Sequence, residues 1–132
     1  MNKAYTVAKL EDIDDVLGDY PGEMKMMKNA LETTQIALTH RHMPAKTGGK
    51  GSYGHRHKTQ EEIIFVIQGQ IQVKVNDDII ELASKSAIRI APGAIQATWN
   101  EGPEDAEIVI FSNRVPDLKA EFESFADFWP AN

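Results

Sequence analysis

Between residues 35 and 112 the chain is cut into short apolar runs by glycine, proline and asparagine. This punctuation limits the possible folds more than any other feature. Ile71, Val73 and Val75 alternate with Gln70, Gln72 and Lys74, the period of two that turns one face of a strand to a core and the other to water. Asn76-Asp77-Asp78 is turn chemistry, after which residues 79–83 run back. Residues 62–68, rich in Ile, Val and Phe, stop at Gly69, and residues 35–43 end at Pro44. Residues 87–91, 95–99 and 107–112 continue the series, divided by Pro92-Gly93 and by Asn100-Glu101-Gly102-Pro103. Six or seven short strands at this spacing require a sandwich or a barrel. The expected core is Ile64, Val66, Ile71, Val73, Ile88, Ile90, Val109 and Phe111.

The flanks read differently. Residues 10–17 predict a short helix stopped by Gly18. Leu118, Phe122 and Phe125, spaced by four and three, predict a helical segment over 116–128 that acts as a lid on the barrel or as an interface. A length of 132 residues fits one domain, 1–132, with its barrel over about 35–113.

Charge and cysteine usage exclude several functions. Lys and Arg number 14 against 20 Asp and Glu, a net charge of −6, which disfavours broad capture of nucleic acid or anionic lipid. With no cysteine there is no disulfide, thiolate metal site or cysteine nucleophile. The first ten residues lack the apolar core of a signal peptide, and no run approaches 18 apolar residues. The expectation is a cytoplasmic protein with neither nucleic acid nor membrane as partner.

All four histidines fall between residues 40 and 57, as His40-Arg41-His42 and His55-Arg56-His57. Residues two apart on a strand share a face, so each pair aims two imidazoles in one direction. Glu61 and Glu62 follow His57 by four and five residues. Two neutral imidazoles and a carboxylate form a three-donor face for a divalent ion, with positions left for water or substrate. Unbroken alternation selects Glu61. A bend or bulge at Lys58-Thr59-Gln60 resets the alternation and selects Glu62, and parity leaves both open. His40 and His42 share a face with apolar Ile36 and Leu38. If that face is inward, one of them reaches the pocket as a ligand or as an acid–base group; otherwise they are inert at the wet end of a strand. Tyr53, Phe65 and Trp99 are candidates to line a pocket. Arg89, between Ile88 and Ile90, is expected to face outward. The glycine-rich stretch 48–54 carries no phosphate-binding pattern.

Gly49, five residues, His55-x-His57, four residues, Glu62, six residues and Gly69 resemble the first cupin motif, G-x5-H-x-H-x3/4-E-x6-G. Residues 85–100 resemble the second, G-x5-P-x-G-x2-H-x3-N, in Gly93 and Asn100, but place Lys85, Ala91 and Gln96 where the motif has Gly, Pro and His. The resemblance, to small single-domain cupins, implies an all-β jelly-roll barrel with a divalent ion (Fe, Mn, Ni or Zn) inside it. It carries the ligand roles onto His55, His57 and Glu62, with Gln96 in the position of the third histidine. An amide oxygen is a weaker donor than imidazole. Two function classes follow. One is a metal-dependent enzyme on a small anionic or chelating organic substrate, of dioxygenase, decarboxylase or isomerase type, with no catalytic residue assigned. The other is a non-catalytic cupin that binds or senses a small molecule. The N-terminal methionines and the aromatic tail, with the edge pairing frequent in cupins, predict a homodimer.

Overall fold

The computed structural model describes residues 3–132. Eleven strands account for nearly all of the regular structure. They are β1 (Glu23–Met26), β2 (Ile36–Met43), β3 (Thr47–Gly48), β4 (Tyr53–His57), β5 (Glu62–Gln68), β6 (Ile71–Val75), β7 (Asp78–Leu82), β8 (Ala87–Ile90), β9 (Gln96–Asn100), β10 (Ala106–Asn113) and β11 (Phe122–Ala126). They form two antiparallel sheets, one in the order β1-β2-β10-β5-β8 and the other in the order β11-β4-β9-β6-β7, with β3 added beside β9. Neighbours in each sheet are mostly distant in sequence, the long-connection pattern of a jelly roll.

The two inner faces interdigitate. Met43, Ile64, Val66, Ile71, Val73, Leu82, Ile90, Ala106 and Ile108 make the buried core, with Val75, Ile80, Ile88 and Ile110 packed against it. The hairpin of β6 and β7 shows why. Val73 lies opposite Ile80 and Ile71 opposite Leu82, so two apolar residues of the alternation each meet another across the strand pair. Gly69 ends β5 with φ +82°, and a Cβ there would lie 2.5 Å from the Asp105 carbonyl oxygen. Only glycine meets both conditions.

Two expected core residues face the other way. In β10, Ile108 and Ile110 point inward, opposite Val66 and Ile64, whereas Val109 and Phe111 lie outward opposite Phe65 and Ile63. The run Ile108-Val109-Ile110-Phe111 is apolar at every position, so its periodicity carries no phase. Phe65, expected to line a pocket, is exposed on the same outer face, and Arg89 is outward as expected, paired with Glu61. β2 behaves like β10. Thr39, Arg41 and Met43 lie opposite inward Ile110, Ile108 and Ala106, and Leu38 and His40 lie opposite outward Phe111 and Val109. The outer face of this sheet is therefore itself apolar.

Both flanks are less helical than their periodicity predicts. The first is one 3₁₀ turn, Leu10–Asp12. In the second, α1 (Leu118–Glu121) is a single turn, N-capped by the Asp117 side chain on the Lys119 and Ala120 amides. The chain then extends as β11 and pairs with β4. A helix of this length is marginal on its own, whereas β4 offers backbone partners to an extended chain. Trp129 is buried, and the Phe128 ring fills the space above Gly54, where a Cβ would come within 2.3 Å of it.

Candidate metal centre

The site lies between the sheets. His55 and His57 project from one side of β4, and Gln96 on β9 is the direct partner of His55. Glu62 opens β5 in the opposite sheet. It pairs with core Ile90 and alternates with core Ile64 and Val66, so its carboxylate points inward. Glu61 points outward to Arg89. Of the two carboxylates, Glu62 is the one that faces the interior.

Residues 58–61 produce this choice. The buried Glu121 carboxylate accepts hydrogen bonds from the amides of Thr59 and Gln60, both at 2.7 Å, and from the Thr59 hydroxyl at 2.6 Å. The Gln60 side chain donates to the Asn113 carbonyl oxygen at 2.7 Å, and the Glu61 amide donates to Asn113 Oδ1 at 2.9 Å. The bend is built by satisfying its own backbone donors, and it shifts the alternation by one residue.

One ligand atom from each of His55, His57 and Glu62 lies within 4.8 Å of the others. His57 Nε2 stands 3.1 Å from Glu62 Oε2, and the other carboxylate oxygen accepts from Gln96 Nε2 at 2.9 Å. The Phe122 ring stacks on His55 at 4.8 Å and meets His57 near edge-on at 5.8 Å. The tail thus forms one wall of the site.

The environment separates the two imidazoles. Burial pushes His55 down to about 4, helped by the charges of His57 and Arg41 and opposed by Glu62. Burial also works against a charged His57, but its hydrogen bond and charge interaction with Glu62 outweigh this and raise it above 6.5. Burial would raise Glu62, yet His57 and Gln96 together hold it below the usual carboxylate range. At neutral pH His55 is neutral and Glu62 ionised, as ligands must be. The contact with Glu62 favours the protonated form of His57 more than water does. Its Nδ1 is sealed from solvent without a hydrogen-bond partner.

These residues fit a divalent ion. Two imidazoles and a carboxylate are the donor set of open non-haem iron sites and suit Mn, Ni or Zn as well. Around an ion with bonds of about 2.1 Å, adjacent donors stand roughly 3 Å apart, close to the spacing of the His57–Glu62 pair. Gln96 belongs to the cluster as the donor that orients Glu62.

The other residues singled out from the sequence lie elsewhere. His40 and His42 are on the outer face, against Glu107 at 3.1 Å and Asp105 at 2.9 Å. The apolar Ile36 and Leu38 that suggested an inward face belong to the apolar exterior. Trp99 alternates with inward Thr98 and Asn100, so it faces outward, and its indole donates to Glu101 at 2.9 Å. Tyr53 shares the inner face of β4 with His55 and His57 but is half exposed at its end. Sequence reasoning missed Arg41, which faces the interior, and Glu121, which pins the bend. The signal for Arg41 was the inward set Thr39, Arg41 and Met43, masked by apolar residues on both faces. Glu121 carried none, because its partners lie about 60 residues away.

A family model described as the cupin domain matches residues 40–112. A search of curated proteins finds no match. Among solved structures, a cupin protein from Bacteroides fragilis is 20% identical, with a TM-score of 0.69 over 88% of this chain and 89% of that one. A sugar phosphate isomerase from a cupin superfamily, from Silicibacter pomeroyi, is 14% identical, with a TM-score of 0.71 over 96% of each chain. A protein described as a predicted oxalate decarboxylase, from Thermotoga maritima, is 16% identical, with a TM-score of 0.66 over 83% of this chain and all of that one. At these identities the likeness concerns the fold.

Proposed function

The chain belongs to the cupin domain family, and on that premise we propose that it holds one divalent ion at His55, His57 and Glu62 and acts on a small anionic or chelating organic substrate. The carrying observation is the convergence of these three side chains from opposite sheets to within 4.8 Å. The fold carries many chemistries, and the similar structures include proteins described as a predicted oxalate decarboxylase and a sugar phosphate isomerase. We read the reaction as a decarboxylation or isomerisation, as these descriptions suggest, or a dioxygenation at the same donor set.

A bound divalent ion supplies a Lewis acid that polarises a substrate oxygen and, if redox-active, a route for electrons. The chain does the rest. Gln96 holds Glu62 in orientation, a supporting contact of the kind that tunes ligand geometry. His57, whose protonated form the Glu62 contact favours, would ligate only as the neutral imidazole. Phe122 covers the His55 ring and excludes water from that side. One carboxylate against a divalent charge leaves the site cationic, which favours anionic oxygen donors.

The amide at position 96 favours a second reading, a cupin that binds a small molecule without turnover. Metal analysis of untagged protein separates the two. Stoichiometric iron or manganese supports the enzyme, and metal-free protein that still binds a small organic ligand supports the binder.

We also propose a homodimer, with a second copy seated on the apolar outer face. Ile36, Ile63, Phe65 and Phe111 there are 37 to 56% exposed and border a concave groove. The His40–Glu107 contact and the Glu61–Arg89 ion pair flank it, and the latter brings both signs of charge to the rim, as a patch that must complement itself requires. Among the described residues no helix is long and apolar enough to cross a membrane.

A further inference from the structure

Arg41 is the one lysine or arginine among the described residues that a strand turns toward the barrel interior. It sits opposite Met24 on β1 and Ile108 on β10, between core positions. Its Nε is shut off from solvent and has no hydrogen-bond partner. The other three arginines are all engaged. Arg56 pairs with Glu123, Arg89 with Glu61, and Arg114 donates to the Thr33 carbonyl oxygen and to Asn29. A guanidinium stays charged at any physiological pH, so this group cannot relieve its burial by losing a proton. A buried cationic donor without a partner calls for an anion. Its charge interacts with His55 and with the phenols of Tyr20 and Tyr53. Tyr53 and His55 are neighbours on the inner face of β4. The Tyr20 hydroxyl is already committed to Gly48, whose amide it accepts from at 2.8 Å.

We propose that Arg41 anchors a carboxylate of the substrate, so that the interior takes a small 2-oxo or 2-hydroxy acid between this guanidinium and the His55–His57–Glu62 cluster. The planar fork of a guanidinium matches the two oxygens of a carboxylate. In the metal-free interior one inward cation balances one carboxylate, whereas a phosphate dianion would need a second. The oxygen-bearing end of the ligand then faces the cluster. That end rests on the metal reading above. The Arg41 end does not.

The test is calorimetric titration of wild type, Arg41→Gln and Arg41→Lys, each metal-free and Ni²⁺-loaded. Pyruvate is the carboxylate probe, acetylacetone the uncharged chelator and inorganic phosphate the competing anion. Arg41→Gln should weaken pyruvate at least tenfold and leave Ni²⁺ and acetylacetone within twofold, with Arg41→Lys in between. Equal pyruvate affinity in wild type and Arg41→Gln overturns the proposal, as does phosphate binding that exceeds pyruvate and depends on Arg41. Should Arg41→Gln not fold, the wild type still decides. Its four arginines give four Nε–H signals in an NMR spectrum, and that of Arg41 should shift when pyruvate is added to metal-free protein. Absence of any shift refutes the anchor. If Ni²⁺ fails to bind the wild type, the metal reading falls alone, and the pyruvate shift in metal-free protein continues to test Arg41.

Discussion

Removing the Glu121 carboxylate should loosen the bend that turns Glu62 inward. Three donors converge on it at 2.6 to 2.7 Å. In Glu121→Ala the exposed Thr59 hydroxyl turns to water, and the Thr59 amide follows. The Gln60 amide belongs to a residue only 4% exposed and stays unpaired. Hydrogen bonds to charged groups contribute about 1.5–3 kcal/mol each, and a stranded buried donor costs about 1–3. With two of the three donors rescued by solvent, the loss should be about 3 kcal/mol. Glu121→Gln keeps an acceptor oxygen for the amides and loses only the charge, so it should cost about 1 kcal/mol. Burial opposes ionisation of Glu121, but the Thr59 and Gln60 bonds hold it below the ordinary 4.5. Its contribution is therefore complete above pH 4.5 and lost as pH falls through the lower folded value. Urea unfolding of the three proteins at pH 7 and pH 3 reads this directly. The alanine variant should also bind metal about tenfold more weakly, since Glu62 is no longer held. An alanine cost under 1 kcal/mol at pH 7, or a glutamine cost equal to it, would refute the reasoning.

Glu62→Gln should reduce Ni²⁺ affinity at least a hundredfold in calorimetric titration, whereas Glu61→Gln, which touches only Arg89 on the surface, should leave it within twofold. Metal affinity should fall about tenfold per pH unit below the raised pKa of His57, with a slope of one proton, because His55 stays neutral down to about 4. A slope of two in Zn²⁺ titrations between pH 5 and 6.5 would show that both histidines compete for protons. Sedimentation should give twice 14.7 kDa at micromolar concentration, and Phe111→Glu should yield the monomer without changing the metal stoichiometry.

Much of this architecture is legible in the order of the residues alone. The alternation at Ile71, Val73 and Val75 sets both the strand and its inward face, because polar residues mark the other side. The same reasoning fails for β10, apolar at every position from 108 to 111, and for β2, where each face mixes apolar and polar residues, and phase has to come from partners far along the chain. The His55–His57–Glu62 cluster is visible as a spacing, but the choice between Glu61 and Glu62 depends on a bend held by Glu121, about 60 residues downstream. The aromatic tail shows a helical period. It forms a strand because the edge of β4 offers backbone partners that no local pattern reveals.

The central claim is a metal ion held by His55, His57 and Glu62. Its most direct test is calorimetric titration of wild type and His57→Ala with Mn²⁺, Fe²⁺, Ni²⁺ and Zn²⁺ at pH 7.5, with circular dichroism to show that the variant is folded. The wild type should bind one ion per chain, and folded His57→Ala should bind none at micromolar concentration. Equal affinity and stoichiometry in the two proteins would contradict the assignment.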